Sequence, residues 1–171
     1  IGSALLHFLQ SVQRREQQLL KLTKKDLLTT FDTQNGSVSL VTEELQKSGS
    51  PFDAIAVRIN NLRTINDMYG FEHGDNCIKE VVYRLSRIKG RGIRMDSGDL
   101  LLLSQAKSGK ADLNSLLEAL LLPVLSSGMN ISMDVSIGIV KCPVQAGSAE
   151  TLFRRAWLAL EQACHSRSHI Q

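Results

Sequence analysis

The side chains with the clearest chemical potential lie in a short polar turn, Asp96-Ser97-Gly98-Asp99, and in the basic stretch before it. Residues 92–95 and 100–103, on either side of the turn, have the pattern of two short strands, which predicts a hairpin with an acidic tip. The cations before the turn could bind phosphate groups through charge-assisted hydrogen bonds, or could form a solvated helix face. They are Arg84, Arg87, Lys89, Arg91 and Arg94.

The bulk composition is typical of one globular domain. The chain has 171 residues, of which 43% are apolar, and this is enough for a single well-buried core. The net charge of +3 is too small to argue for a nucleic-acid partner, so none is expected. The three cysteines, Cys77, Cys142 and Cys164, form no CxxC pair, which favours reduced thiols in a cytosolic compartment.

The elements that position the turn follow from apolar periodicity and breaker residues. We predict helices over residues 3–24, 37–47, 60–69, 74–88, 113–125 and 148–164, and strands over 52–59, 92–95, 100–103 and 131–140. A loop is expected over residues 30–36. After the first helix, the order is strand, helices, two strands, helix, strand and helix, which is the split β-α-β arrangement. The predicted fold class is therefore α/β and ferredoxin-like, with a mainly antiparallel sheet flanked by helices.

The first predicted helix carries Leu5, Leu9, Val12 and Leu19 at near-heptad spacing, with Glu16 at a weaker seam position. Its other face is polar and basic. Two readings stay open: a signalling helix that follows a membrane span and supports a homodimer, or a solvated helix packed on its own domain. We expect residues 1–25 to form this linker helix and residues 26–171 to form the domain.

Four stretches together resemble GGDEF domains. Residues 26–29, Asp-Leu-Leu-Thr, are similar to the opening DxLT motif, and residues 65–75 are similar to the INDxYGHxxGD signature. The turn at residues 96–99 lies where the RxGGDEF hairpin belongs. Residues 135–139 resemble the SIGIA strand, followed by Ala156-Trp157-Leu158-Ala159-Leu160 in place of ADxAL. The match covers residues 26–168 and implies the nucleotidyl-cyclase-like fold of that family.

The resemblance implies a chemistry that this sequence is poorly equipped to perform. Active members condense two GTP molecules into cyclic di-GMP, with Mg²⁺ held by carboxylates of the first strand and of the turn. The first-strand metal aspartate aligns with Arg58, and the next aspartate aligns with the neutral Asn60. A cation at position 58 would repel Mg²⁺. Catalytic residues are therefore expected to be absent.

The turn and the last helix also depart from the family pattern. The two glycines of the motif align with Asp96 and Ser97, and a carboxylate at position 96 would repel a triphosphate. The metal-binding acid of the turn aligns with Gly98, and the glutamate aligns with the shorter Asp99. The phosphate-binding lysine of the last helix aligns with Cys164. No metal ligand set is expected.

Other family positions retain their residue types. Asn66 and Asp75 align with the residues that hydrogen-bond the guanine base, although both could equally serve as helix caps or turn formers. The inhibitory RxxD motif, which grips cyclic di-GMP, aligns with residues 87–90. Its arginine is present as Arg87, whereas Gly90 replaces its aspartate.

The resemblance thus implies a regulatory or signal-transmitting module of cyclic di-GMP signalling, not an enzyme, which tunes an adjacent EAL phosphodiesterase domain. The alternatives are a dimerisation scaffold that binds no nucleotide, and an active cyclase with an unusual metal site. GTP or cyclic di-GMP are the expected ligands, and Mg²⁺ would accompany GTP only if the nucleotide binds. The expected location is the cytoplasmic side of an inner-membrane protein.

Overall fold

A computed structural model describes residues 2–47, 50–105, 109–166 and 169–171. Six α-helices are assigned in this part of the chain: α1 Gly2–Lys24, α2 Gln34–Gln46, α3 Leu62–Tyr69, α4 Phe71–Leu85, α5 Lys110–Leu120 and α6 Ala149–His165. Seven strands are assigned with them: β1 Asp32–Thr33, β2 Phe52–Ile59, β3 Arg91–Arg94, β4 Leu100–Ser104, β5 Val124–Ser126, β6 Met129–Ile131 and β7 Val135–Cys142.

The main sheet has five strands in the order β1-β3-β4-β2-β7. Its β2–β4, β2–β7 and β3–β4 pairs are antiparallel, and the short β1 pairs with β3 in parallel. The mainly antiparallel sheet predicted from the element order is therefore confirmed. Strand β2 lies between β4 and β7, so its ends are held by neighbours on both sides.

Helices cover both faces of this sheet, and β2 contributes to both apolar layers. Because strand side chains alternate, Ala54 and Ala56 join the layer that packs under α2 and α6. Ile55 and Val57 point to the opposite layer, under α4 and α5. This two-sided burial explains why β2 is apolar over most of its length.

The contact between β7 and α6 depends on Gly138. A Cβ atom at this position would lie 2.8 Å from the Cβ of Ala159 and 3.1 Å from the backbone of α6. The glycine and the alanine together allow the helix to approach the strand closely, and this approach fixes the height of α6 above the sheet.

Helix α2 begins earlier than predicted, and β1 was not predicted. Thr33 caps the helix, because its Oγ1 accepts a hydrogen bond from the backbone N–H of Gly36 at 3.1 Å. The loop expected at residues 30–36 is therefore wrong in its second half.

The buried Asp32 in β1 pairs with Lys25 at 2.6 Å and with Arg91 at 2.7 Å. Burial would raise the pKa of Asp32, but these two hydrogen bonds outweigh it and lower the pKa.

The helix predicted over residues 113–125 ends at Leu120 instead, and β5 and β6 follow it as a hairpin. Ser127 and Gly128 both have positive φ, 47° and 82°, as a two-residue type I′ turn requires. Arg84 terminates α5, since its guanidinium donates to carbonyl oxygens of residues 119, 120, 122 and 123. The strand predicted over residues 131–140 begins later in the structure, since β7 spans Val135–Cys142.

The two helices after β2 are divided at Gly70, which has φ +98°. Its backbone N–H donates to the carbonyl of Asn66 and ends α3. Helix α4 then starts at Phe71, three residues before the predicted start, and ends at Leu85. The turn between α3 and α4 brings Asn66 against Gly74.

The predicted first helix is confirmed as α1. Its seam leucines Leu5, Leu9 and Leu19 are all exposed in the single chain. In the described part of the chain, none of the helices is long and apolar enough to cross a membrane. The division into residues 1–25 and 26–171 stays a prediction.

Candidate functional site

A cavity of about 280 Å³ lies between the end of β2 and the tip of the β3–β4 hairpin. Strand β2, helices α3 and α4, and the hairpin all contribute to its wall. The lining residues that carry polar side chains are Arg58, Asn60, Arg63, Arg94, Ser97 and Asp99. The structure therefore brings Arg58, Asn60 and the turn together around one cavity.

Arg58 is held by two carboxylates. Its Nε and Nη2 donate to Oδ1 and Oδ2 of Asp99, both at 2.9 Å, and its Nη1 donates to Oε1 of Glu161 at 2.5 Å. The register of β2 on β4 pairs Val57 with Leu100, which sets Arg58 opposite Asp99. The side chains of Arg58 and Asp99 are 17% and 8% exposed. The hydrogen bonds to Asp99 raise the pKa of Arg58 further above its usual range, against the effect of burial.

The turn uses its own residues to complete this arrangement. Ser97 Oγ donates to Oδ2 of Asp99 at 2.7 Å, so Oδ2 accepts from both Ser97 and Arg58, while Oδ1 accepts from Arg58 alone. Gly98 has φ +89°, a conformation that favours glycine, and its N–H closes the turn on the carbonyl of Met95. Asp96 is exposed, and its backbone N–H donates to Gln34.

Two polar atoms at the cavity wall are buried without a hydrogen-bond partner. Asn60 donates through Nδ2 to Ser136 Oγ at 2.8 Å, but its Oδ1 is unpaired. Nη1 of Arg94 also has no hydrogen-bond partner, although it forms a longer ion pair with Oδ2 of Asp26 at 3.7 Å. Buried polar atoms are normally paired in proteins, so these two are candidates for contact with a ligand.

The pair predicted to bind guanine lies outside the lining of this cavity. Asn66 is half-buried on α3, and Asp75 is exposed near the start of α4. Oδ1 of Asn66 is buried and unpaired, and a Cβ atom at Gly74 would lie only 1.7 Å from it. The glycine thus leaves room for the Asn66 amide in the notch between α3 and α4.

The remaining predicted positions are dispersed. Arg87 is exposed, and Cys164 is half-buried near the end of α6, outside the cavity lining. The basic stretch forms no single phosphate-binding patch, because its arginines have different partners. Arg84 terminates α5, Arg91 pairs with Asp32, and Arg94 faces the cavity.

Glu161 is the residue that sequence reasoning missed. It lies three positions before Cys164 on α6, so both residues occupy the same side of the helix. The motif alignment directed attention to Cys164, whereas the carboxylate one turn earlier is the group that reaches Arg58. No local sequence pattern links this position to the end of β2, 103 positions away.

A divalent metal does not fit the residues around Arg58. The guanidinium lies where a cation would contact Asp99, and both oxygens of that carboxylate are already engaged. The positive charge of Arg58 would also oppose Mg²⁺. In the described ranges, no group of three or more His, Cys, Asp or Glu side chains is arranged to hold a metal ion.

Comparison with known proteins places this geometry in a family context. A curated relative from Caulobacter vibrioides, described as an uncharacterized signaling protein, is 26% identical over 162 residues. The match covers 88% of this chain and 20% of that relative, so the chain spans about a fifth of its length.

Two solved structures share the fold. A diguanylate cyclase/phosphodiesterase from Caldicellulosiruptor saccharolyticus has a TM-score of 0.74 and 22% identity, with 84% of this chain and 88% of that chain covered. The coiled coil and GGDEF domain of DgcB from Caulobacter crescentus, in complex with c-di-GMP, has a TM-score of 0.69 and 16% identity, with 99% and 97% covered. The family model described as "Diguanylate cyclase, GGDEF domain" matches residues 23–169, and the chain therefore belongs to the GGDEF family.

Proposed function

We propose that this GGDEF domain is catalytically inactive and acts as a regulatory, signal-transmitting module in cyclic di-GMP signalling. The observation that carries the proposal is the bidentate ion pair of Arg58 with Asp99, together with the contact to Glu161. The arginine neutralises the acidic turn from within the protein. The degenerate turn then has a structural task in place of a catalytic one.

The physical basis is the loss of metal-dependent charge neutralisation. Condensation of two GTP molecules requires cations that offset the charge on each triphosphate. Arg58 contacts Asp99 through hydrogen bonds that leave no free carboxylate oxygen for a metal. Asn60 and Cys164 occupy the positions that align with an aspartate and a phosphate-binding lysine of the family, so two further groups of the catalytic site are missing.

Regulation requires contact with other parts of a signalling protein, and α1 is the element suited to it. We propose that α1 transmits a signal from a membrane-anchored region, and that the domain tunes an adjacent EAL phosphodiesterase domain on the cytoplasmic side. Asn66 and Asp75 would keep the ability to bind GTP, with Mg²⁺ as its companion, or another guanine nucleotide. The unpaired Oδ1 of Asn66 supports such a contact.

A product assay tests the inactive state. The purified domain is incubated with GTP and either Mg²⁺ or Mn²⁺, beside an active diguanylate cyclase, and cyclic di-GMP is measured by mass spectrometry. No product is expected from this domain. Cyclic di-GMP above the level of the boiled sample would refute the proposal. In the longer protein, deletion of residues 26–171 should change phosphodiesterase activity, and unchanged activity would contradict the regulatory role.

The second candidate is a dimerisation scaffold that binds no nucleotide. The exposed leucines of α1 favour it, because an apolar stripe on a helix is normally covered by a partner. Calorimetry with GTP and with cyclic di-GMP separates the two candidates. Binding that disappears in Asn66→Ala or Asp75→Ala excludes the pure scaffold, whereas absence of binding to either ligand supports it.

A further inference from the structure

We propose that a second cavity, at the end of the sheet opposite the β3–β4 turn, binds an apolar molecule that carries one carboxylate group. The cavity has a volume of about 440 Å³ and lies beside α2, where β2 and β3 begin and β4 ends. Along β2, the six positions from Phe52 to Arg58 separate it from the candidate site by about 20 Å. The inference goes beyond the proposed function, because neither the turn nor the residues around Arg58 take part in it.

The walls of this second cavity are mainly apolar. Leu40 on α2, Phe52 on β2 and Leu103 on β4 supply the apolar surface. Phe52 and Leu103 are 4% and 8% exposed, so the cavity continues one apolar layer of the sheet outward. Its volume falls within the range of about 300–1,000 Å³ that is usual for small-molecule sites. An aliphatic or aromatic group in the cavity would remove these side chains from water, which is favourable.

One positive charge at this cavity is not balanced. Of the charged lining residues, Glu44 pairs with Lys47 at 2.7 Å, and Arg91 pairs with Asp32 at 2.7 Å. Lys89 is exposed, and its side chain forms no ion pair with the residues that the structure describes. After these pairs are counted, the lining keeps a single positive charge. A ligand with one negative charge complements it, whereas a diphosphate or a cyclic dinucleotide brings more negative charge than the lining offsets.

The backbone at Gly90 places this lysine beside the apolar wall. A Cβ atom at Gly90 would lie 2.5 Å from the carbonyl oxygen of Leu103, so only glycine lets the chain approach β4 this closely. The long stem of Lys89 can then lie along apolar surface while its ammonium group meets an anion at the mouth of the cavity. Gln105 supplies a second donor, because its Nε2 lies 3.5 Å from Glu44, at the limit for a hydrogen bond. A medium-chain fatty acid has the matching form, with an apolar tail and one carboxylate at its end.

The test is calorimetric titration of the whole chain with decanoate and with decanol, each below the concentration at which it aggregates. We expect decanoate to bind, and decanol to bind about fivefold more weakly, because the neutral head group loses one exposed charge contact. Lys89→Gln should weaken decanoate by about fivefold and leave decanol unchanged. Lys79→Gln is the matched control, since Lys79 is exposed on α4 and is not among the lining residues. It should change the binding of neither ligand.

A second variant tests the apolar part of the cavity. Leu40→Trp places a larger side chain at the wall, and both ligands should then bind at least about tenfold more weakly. Urea unfolding of each variant shows whether the fold is retained. If Leu40→Trp does not fold, Lys89→Gln with the two ligands still decides the question, because Lys89 is exposed.

A competition experiment separates this cavity from the inhibitory motif of the family. Gly90 lines the cavity, but Arg87, the arginine retained from that motif, is not among the lining residues. An excess of cyclic di-GMP should therefore leave decanoate bound.

Four results overturn the inference. They are absence of decanoate binding, equal weakening of decanoate and decanol in Lys89→Gln, unchanged binding in a folded Leu40→Trp chain, and displacement of decanoate by cyclic di-GMP. None of them affects the product assay for cyclic di-GMP, so this inference and the proposed function fail separately.

Discussion

Replacing Arg58 with methionine should lower the free energy of unfolding by about 3 kcal/mol. The change keeps most of the apolar stem and removes the guanidinium, so Asp99 stays buried without its ion-pair partner. Breaking a buried pair on one side costs about 3–5 kcal/mol, and the low end applies because the 17% exposure of Arg58 leaves some access to water. Glu161 is 38% exposed and adds at most about 1 kcal/mol.

Urea denaturation followed by circular dichroism measures this loss, with an expected midpoint shift of roughly 1–1.5 M at an unchanged slope. Arg63→Met is the control, because Arg63 and Asp67 are both exposed and lie 3.9 Å apart. It should change stability by less than about 0.5 kcal/mol. Adding Asp99→Asn to Arg58→Met should recover about 1–2 kcal/mol, since the buried charge is removed while the Ser97 hydroxyl keeps a partner.

Two results would refute this reasoning. If Arg58→Met costs no more than Arg63→Met, the ion pair with Asp99 does not stabilise the hairpin against β2. If the double variant is less stable than Arg58→Met alone, the orphaned carboxylate is not the source of the loss.

Three further predictions follow from other parts of the fold. Asp32→Asn should remove an acid-sensitive contribution to stability. Because the pKa of Asp32 is lower in the folded chain than its unfolded value of 3.8, the ionised side chain stabilises the fold fully above that value, and the stabilisation is lost as pH falls through the folded pKa. Urea midpoints measured between pH 5 and about pH 3 will show whether the variant lacks this pH dependence. Gly138→Ala should cost about 2 kcal/mol, because the new methyl group would lie 2.8 Å from the Cβ of Ala159; a change below about 0.5 kcal/mol in thermal unfolding would contradict this contact. Leu9→Glu should shift the chain from dimer to monomer in light scattering, whereas Gln10→Glu, on the opposite face of α1, should not; a monomeric parent chain would refute the prediction.

Much of the fold could be predicted from the sequence because it depends on local apolar periodicity. Strand β2 was predicted with its observed bounds, and α1 and α6 within one residue at each end, because their apolar patterns are strong and their breakers are clear. Two of the errors fell where a short element depends on distant partners. Strand β1 exists through its pairing with β3, and α5 ends where Arg84, 35 positions away from Ala119, binds its last carbonyls.

Only part of the candidate site could be predicted from the sequence. Motif spacing identified Arg58, Asn60 and the turn, and the structure places all of them around one cavity. Motif spacing did not identify Glu161, since no local sequence pattern links α6 to the end of β2. The predicted guanine pair, Asn66 and Asp75, stays a prediction, and the structure adds the tight contact of Asn66 with Gly74.

The sequence by itself determined the family, the order of the elements and the chemical types at the former metal positions. From those types alone, Arg58 was a cation that would repel a metal. Only the tertiary structure decided that this cation is satisfied, because the register of β2 on β4 and the packing of α6 bring it to acids 41 and 103 positions away. The sequence determines the sign of each charge. The electrostatic energy of a charged side chain, however, depends on its distance to partners and on its burial, and both are properties of the folded chain.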